Sequence, residues 1–305
     1  MQSFLFRQRI CLIPVGCMVL ALLLAGCGPP PVHVMTRQYM ATFFTITIAH
    51  DEVDPGVFEA AFARIARVEE LMSVYRPDSQ VAAINRQAGI APVTVDSEVL
   101  DVIILAAEIS RRSNGRFDIT YASVHDGCSY RDIRLDEHLS TVFLPYTGMR
   151  IDLGAIAKGY AVDLAGRYLQ QRGITRFIVN GGGDMLVMGD RYGTPWSVGI
   201  QDPTERGKLL HTLAVRRPLA IATSGDYEQP DHIRNPLTRQ PAHGLRAVTV
   251  IAPTAAEADG YATAIFVLGS EQGLALAREH PTLEVLLMGE GNAEITSEKF
   301  WEYFR

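Results

Sequence analysis

The apolar positions of this chain follow two periods, one helical and one typical of strands. In residues 55–75 apolar side chains recur at helical spacing with charged residues between them, which predicts a helix. Ser79 can cap a short helix that reaches Asn85, and Asp96 can cap a longer one. Further helices are predicted at residues 97–113, 156–171, 255–268 and 271–278.

The strand-like segments are short and often adjacent in the chain. Residues 42–49, TFFTITIA, alternate in polarity and are rich in β-branched and aromatic side chains, which predicts a strand. Further strands are predicted at residues 150–153, 176–179, 185–188, 196–200, 211–215, 219–223, 246–251 and 283–288. This order favours an α+β fold, with a largely antiparallel sheet and packed helices. Because no Gly/Ser linker divides residues 37–305, they are predicted to form a single domain.

The N-terminal residues differ from the rest of the chain. Arg7 and Arg9 precede an apolar run that ends in small residues, an organisation typical of a secretory signal peptide at residues 1–26. The run is interrupted and shorter than a comfortable membrane span, so an uncleaved membrane anchor is the weaker alternative.

The end of that run carries a second signal. Residues 24–27, LAGC, resemble the lipobox of bacterial lipoproteins, which implies cleavage before Cys27 and a lipid on that cysteine. Proline disfavours helix and stiffens the chain, so residues 27–36 are predicted to form a tether. The resemblance implies an exported lipoprotein anchored in a membrane and facing the periplasm. Gly28 follows the cysteine where an inner-membrane retention signal has Asp, so the outer membrane is expected.

Composition then narrows the classes of function. The formal net charge of the 305 residues is −6, and loss of Arg7 and Arg9 with the signal peptide would make it −8. An acidic balance without a basic run argues against nucleic-acid binding. Of four cysteines, Cys128 alone would remain with a free thiol, so no internal disulfide is expected.

Three segments contain residues that could carry chemistry. In IDLGAIAKGY, residues 151–160, a predicted strand leads through a glycine turn into a helix whose free amides and Lys158 could face phosphate. The glycines of NGGGD, residues 180–184, allow either close approach of a ligand or a simple hairpin. Asp259 and Thr263 share one helical face and are oxygen donors suited to Mg²⁺. Each segment taken alone is more often plain architecture than a site.

Together these segments resemble the ApbE family of FAD:protein FMN transferases. The similarity runs from about Met40 to about Gly269. Its strongest matches are IDLGAIAKGYAVD (151–163), VNGGGDMLVMG (179–189), WSVGIQDP (196–203), IATSGDYE (221–228) and ADGYATAIFVLG (258–269).

The resemblance implies a role for each matching residue. The residues that match the family's FAD contacts are Met40, Tyr75, Arg116, Phe117, Asp118, Asp152, Lys158 and Ile233. The residues that match its Mg²⁺ ligands are Ala155 and Ala262, through main-chain oxygens, and Asp259 and Thr263. The chain departs from the family in three places. Residues 119–151 are shorter than usual and lack Trp, Asn235 replaces an Asp, and Ala41 replaces a Gly.

The function implied is Mg²⁺-dependent transfer of FMN from FAD to a Thr or Ser hydroxyl of an acceptor flavoprotein, with release of AMP. Lys158 and the metal would neutralise phosphate charge, and His232, or otherwise Asp152, would accept the hydroxyl proton. Membrane redox-pump subunits are the acceptors that the family suggests. The alternatives are an Mg²⁺-dependent FAD pyrophosphatase and a flavin-binding lipoprotein without catalytic activity.

Overall fold

A computed structural model describes residues 31–125, 127–226 and 232–304 of the chain. The predicted signal peptide and the lipidation site at Cys27 lie outside these residues. Within the described part, none of the helices has both the length and the apolar character needed to cross a membrane.

The centre of the fold is an eight-stranded sheet in the order β1-β2-β6-β7-β10-β11-β12-β13. Every pairing in it is antiparallel, which confirms the predicted sheet type. Its strands are β1 (Val32–Tyr39), β2 (Thr42–Ala49), β6 (Phe177–Gly181), β7 (Asp184–Met188), β10 (Leu219–Gly225), β11 (Leu245–Ala252), β12 (Glu284–Gly289) and β13 (Glu294–Thr296). A smaller sheet joins β3 (Val93–Thr94), β5 (Thr141–Phe143) and β4 (Arg134–Asp136), and a hairpin joins β8 (Trp196–Gln201) and β9 (Leu209–Val215).

Five α-helices accompany the sheet in the described residues. They are α1 (Pro55–Met72), α2 (Gln80–Arg86), α3 (Ser97–Arg112), α4 (Ala157–Gln171) and α5 (Ala255–Glu279). Asp54, Ser79 and Thr254 cap α1, α2 and α5 with side-chain oxygens, as their residue types favour. Helix α5 combines the two helices predicted at residues 255–278, and Gly269, with φ 77°, breaks it between them.

Alternating residues of the central strands bury side chains on the two faces of the sheet. On β10, Ala220 and Ala222 belong to the larger core, which they share with the buried faces of the helices. Ile221, between them, belongs to a second core with Trp196 of β8 and Phe300 near the C-terminus. The sheet is therefore covered on both faces, and the hairpin of β8 and β9 covers the side away from the helices.

The structure corrects several boundaries. Residues 32–36 of the predicted tether belong to β1, which hydrogen-bonds along its whole length to β2 and begins opposite Ala49. The strand predicted at residues 150–153 is wrong. This segment is extended, but it bonds to loop and side-chain groups: Ile151 donates its N–H to the Asn85 side chain and Asp152 donates to the carbonyl of Ile119. Helix α1 ends at Met72, short of the predicted Tyr75.

Candidate active site

A cavity of about 900 Å³ opens where the N-terminal end of α4, the β1–β2 turn and the ends of β6, β7 and β10 meet. It brings together residues from distant parts of the sequence. The predicted residues that line it are Met40, Tyr75, Arg116, Phe117, Asp118, Asp152, Ala155, Lys158, His232, Ile233, Asp259 and Thr263. Ala262 is fully buried and does not border the cavity. The roles of all these residues remain predictions.

A cluster of one ammonium and two carboxylates lies in the wall of this cavity. Lys158 Nζ lies 2.9 Å from Oδ2 of Asp184 and 3.2 Å from Oδ2 of Asp259. The lysine side chain is 28% exposed, whereas each carboxylate is 4% exposed. Oδ2 of Asp184 makes no hydrogen bond of acceptable geometry despite its short distance from the ammonium. The cluster therefore carries an excess of buried negative charge, which favours a cation.

The pKa values reflect this crowding. Burial raises the pKa of Asp184 to about 7, and the nearby Asp259 carboxylate adds to the rise. Burial alone would lower the pKa of Lys158, but Asp184 and Asp259 outweigh it and hold that pKa above its ordinary value. The lysine is therefore a fixed positive charge at neutral pH.

Helices α4 and α5 hold this cluster in place because a carboxylate of each helix accepts N–H groups at the N-terminal end of the other. Asp259 of α5 accepts the N–H of Gly159, in the first turn of α4, at 3.2 Å. Asp163 of α4 accepts the N–H groups of Ala255 and Ala256, which begin α5, at 2.8 and 2.9 Å. A carboxylate at a helix N-terminus satisfies free amides and interacts favourably with the helix dipole. Each helix therefore fixes the start of the other.

The two helices can approach this closely because α4 has a glycine at the crossing. A Cβ on Gly159 would lie 2.1 Å from the carbonyl oxygen of Ala255. The segment IAKGYAVD (156–163) thus carries Gly159, where the helices meet, and the charged residues Lys158 and Asp163 on consecutive turns.

The loop before α4 positions Asp152. Oδ1 of Asp152 accepts the N–H of Gly154 at 2.8 Å, and Oδ2 accepts the hydroxyl of Tyr121 at 3.2 Å. The Tyr121 ring is 45% exposed and borders the cavity. Burial, reinforced by Asp152, raises the pKa of Tyr121 to about 12, so the phenol stays protonated and able to donate.

Asp118 is held in the cavity wall by hydrogen bonds from the backbone. It is 8% exposed, and its Oδ1 accepts the N–H of Thr120 at 2.8 Å while its Oδ2 accepts the N–H of Tyr130 at 3.0 Å. Burial raises its pKa against these hydrogen bonds. The carboxylate therefore orders the wall next to Arg116 and Phe117, whose side chains border the same cavity.

The β1–β2 turn forms another wall of the cavity. Its two central residues, Met40 and Ala41, have φ values of 49° and 59°, in the left-handed region that favours glycine. The Met40 N–H is held by the Glu69 carboxylate at 3.0 Å. Glycine, the usual family residue at position 41, fits this geometry better than the alanine found here.

The remaining predicted residues lie around the carboxylate cluster. Thr263 Oγ1 lies 3.2 Å from Ser224 Oγ. Within the described ranges no group of three or more His, Cys, Asp or Glu side chains is placed to bind a metal, so a cation here would also need hydroxyl and main-chain oxygens. His232 is exposed at the cavity and Ile233 is buried beneath it.

Three residues of the site were missed from the sequence. Asp184 ends the NGGGD segment, but nothing in its spacing distinguished a buried ion pair from a hairpin. Tyr121 lies in the shortened segment, where no motif marked it. Ser224, within the ATSGD segment, reaches Thr263 only because β10 packs beside α5.

Comparison with known proteins gives a consistent result. The ApbE family model matches residues 40–287. The FAD:protein FMN transferase of Treponema pallidum is 32% identical over 278 residues, which are 76% of this chain and 77% of that protein. The FAD:protein FMN transferase of Vibrio cholerae is 29% identical over 320 residues, 92% of this chain and 95% of that protein.

Solved structures agree with these relatives. The flavin transferase ApbE from Vibrio cholerae has a TM-score of 0.81 and 26% identity, and the match covers 90% of this chain and 100% of that one. The ApbE protein from Thermotoga maritima has a TM-score of 0.80 and 27% identity, with the same coverage of 90% and 100%. The predicted fold class is thus confirmed by two experimental structures.

Proposed function

The chain belongs to the ApbE family, and we propose that it is a flavin transferase that moves FMN from FAD to a hydroxyl of an acceptor flavoprotein and releases AMP. The observation that carries the proposal is the cavity in which Lys158 lies between the buried carboxylates of Asp184 and Asp259, beside the N-terminal end of α4. Such a site combines a fixed ammonium with cation-binding oxygens, which suits a pyrophosphate group.

The donor atoms around Asp259 fit Mg²⁺. Carboxylate and hydroxyl oxygens are the ligands that a hard cation prefers, and the buried carboxylates carry more negative charge than one lysine neutralises. In this proposal Asp259 and Thr263 would hold the ion together with the main-chain oxygen of Ala155, whereas Ala262, which the resemblance also names, does not border the cavity. When bound, the ion supplies charge neutralisation on the phosphate oxygens.

The chain's own residues then orient the substrate. The resemblance gives Met40, Tyr75, Arg116, Phe117, Asp118, Asp152, Lys158 and Ile233 as FAD contacts, and all border the same cavity. Lys158, whose side chain is 28% exposed, borders the cavity and can stabilise negative charge on the leaving AMP phosphate. Positioning and electrostatics of this kind supply most of the catalysis in phosphoryl transfer.

A proton must leave the attacking hydroxyl of the acceptor. Both oxygens of Asp152 already accept hydrogen bonds, from Gly154 and Tyr121. His232 is exposed at the cavity mouth, and a neutral imidazole is suited to accept a proton near pH 7. We propose His232 as the base, with Asp152 as the alternative.

The test is an incubation of the protein with FAD, Mg²⁺ and a candidate acceptor. Flavin bound covalently to the acceptor, together with AMP, supports the transferase. Free FMN and AMP with an unlabelled acceptor would indicate a pyrophosphatase, and unchanged FAD would indicate a binding protein. The mass of the labelled acceptor peptide identifies the hydroxyl, and subunits of membrane redox pumps are the first acceptors to try.

We also propose that the protein works on a membrane surface. The signal-like residues 1–26, the lipobox ending at Cys27 and the following Gly28 support a lipoprotein of the outer membrane that faces the periplasm. Cys27→Ala should prevent maturation of the precursor. Incorporation of labelled palmitate into that variant would contradict the proposal.

A further inference from the structure

Asp184 is a buried acid that the proposed reaction leaves without a role. It lies at the start of β7, directly after the glycines at residues 181–183, and its side chain borders the cavity. The residue is 3% exposed, and its Oδ2 has no hydrogen bond of acceptable geometry. Its compensation is the ion pair with Lys158, whose Nζ lies 2.9 Å from that oxygen, so Asp184 depends on the lysine and the lysine on Asp184.

Asp184 and Asp259 both pair with the ammonium of Lys158. The ammonium of Lys158 lies 2.9 Å from Asp184 and between 3.2 and 3.3 Å from the two oxygens of Asp259. One of those Asp259 oxygens, Oδ2, also accepts the Gly159 N–H. Both oxygens of Asp259 therefore already have partners within the protein, Oδ1 one and Oδ2 two.

We propose that Asp184 is a positioning residue that retains the ammonium of Lys158 when Asp259 takes up a divalent cation. The inference rests on the proposed function in one respect, namely that Asp259 binds Mg²⁺. A divalent cation bound to both oxygens of Asp259 would displace the ammonium from them, because Lys158 Nζ lies 3.3 and 3.2 Å from those two oxygens. Asp184 is the second carboxylate within reach of Nζ, and it keeps the lysine in the cavity wall rather than letting it move toward solvent.

The proposed move of Lys158 from Asp259 to Asp184 also accounts for the charge balance of the Lys158, Asp184 and Asp259 cluster. With two carboxylates and one ammonium the cluster is short of positive charge, and a divalent cation reverses the imbalance. An anionic pyrophosphate group could then bind both to the metal and to the ammonium of Lys158, which Asp184 holds in place. Without Asp184, Lys158 would pair with Asp259 alone and compete directly with the metal.

The experiment is a double-mutant cycle on the full chain, with Mg²⁺ alone as the probe and its Kd measured by calorimetry. Lys158→Gln should tighten Mg²⁺ binding because the competing ammonium is removed. Asp184→Asn should weaken it by about tenfold, equivalent to about 1.4 kcal/mol. In the Lys158→Gln background, Asp184→Asn should change the Kd by no more than about twofold, because there is no lysine left to retain.

Two outcomes would overturn the inference. An equal loss of affinity in both backgrounds would make Asp184 a direct ligand of the metal, and an unchanged Kd in Asp184→Asn would leave it without a part in cation binding. Asp184→Glu, which keeps the charge, should recover much of the affinity. Failure of the wild-type protein to bind Mg²⁺ would remove the inference, whereas covalent labelling of the acceptor decides the transferase proposal separately.

A matched control removes a different buried acid. Glu284 on β12 is 8% exposed and bonds to Ser297 and to the N–H of Lys299, outside the lining of the cavity. Glu284→Gln should lower stability without changing the Kd for Mg²⁺. Urea unfolding of each variant shows that the compared proteins are folded, so a change of Kd specific to Asp184 cannot be assigned to a general loss of structure.

Discussion

The close approach of α4 and α5 at Gly159 gives the sharpest test of how the site is built. In Gly159→Ala the new Cβ would lie 2.1 Å from the carbonyl oxygen of Ala255 and 2.7 Å from the N atom of Ala256. These are backbone atoms in a densely packed interior, so no side-chain rotation can relieve the contact. The start of α5 would have to move away from α4 by roughly 1 Å, since hard contacts set the separation of packed atoms.

Such a shift breaks the bonds that join the helices. The two N–H groups at the start of α5 lie 2.8 and 2.9 Å from Asp163, so a displacement of this size takes them out of hydrogen-bond range. Overpacking costs about 1–3 kcal/mol and a hydrogen bond to a charged group about 1.5–3 kcal/mol, while alanine returns about 1 kcal/mol of helix propensity. With both hydrogen bonds to Asp163 lost, we expect a loss of at least about 3 kcal/mol in the free energy of unfolding.

The assay is urea unfolding, with Gly166→Ala on the same helix as the control. A Cβ on Gly166 meets the terminal methyl Cδ2 of Leu186 at 2.3 Å, and that flexible side chain can turn away. This control should stay within about 1 kcal/mol of wild type. If the two variants unfold at the same urea concentration, the helix crossing does not set the geometry of the cluster and the reasoning fails.

Three further changes test separate parts of the cavity. Ala41→Gly should raise the free energy of unfolding by about 0.5–1 kcal/mol because glycine adopts the positive φ of the β1–β2 turn without strain; a lower urea midpoint would contradict this. Asp259→Asn should reduce Mg²⁺-dependent AMP release by orders of magnitude, because it removes the charge that holds a hard cation; a wild-type rate and half-saturating Mg²⁺ concentration would exclude it as a ligand. Tyr121→Phe should weaken FAD binding by about three- to tenfold, measured by flavin fluorescence, since Asp152 loses a hydrogen bond that costs about 0.5–1.5 kcal/mol; an unchanged Kd would show that this bond does not support the site.

The sequence predicted the regular elements well because their patterns are local. The strand at residues 42–49 was placed to the residue, and the break near Gly269 in α5 was expected from two adjacent helical patterns. The failures come from tertiary contacts. Residues 150–153 have the composition of a strand, but the Asn85 side chain and loop carbonyls take up their hydrogen bonds in place of a neighbouring strand.

The sequence predicted part of the cavity lining but not the contacts within it. The resemblance named several residues that border the cavity, including Lys158 and Asp259, but also named Ala262, which does not border it, and missed Asp184, Tyr121 and Ser224. It could not reveal that the lysine is already paired with Asp184, since residues in different parts of the chain meet only when β7 packs beside α4 and α5. The sequence predicts Lys158 as a positive charge that binds phosphate, whereas in the structure its ammonium also pairs with Asp184 and Asp259.

The hydrogen bonds from the N-terminal ends of α4 and α5 to Asp259 and Asp163 also limit how the site can be redesigned. Asp163 does not border the cavity, yet it anchors the helix that carries Asp259. A change at Asp163 is therefore expected to disturb the position of Asp259 from outside the cavity. A redesign of the cavity for a different nucleotide can change residues along its rim. Asp163, Gly159 and Asp259 would have to be kept together, because a change in one alters the contacts of the other two.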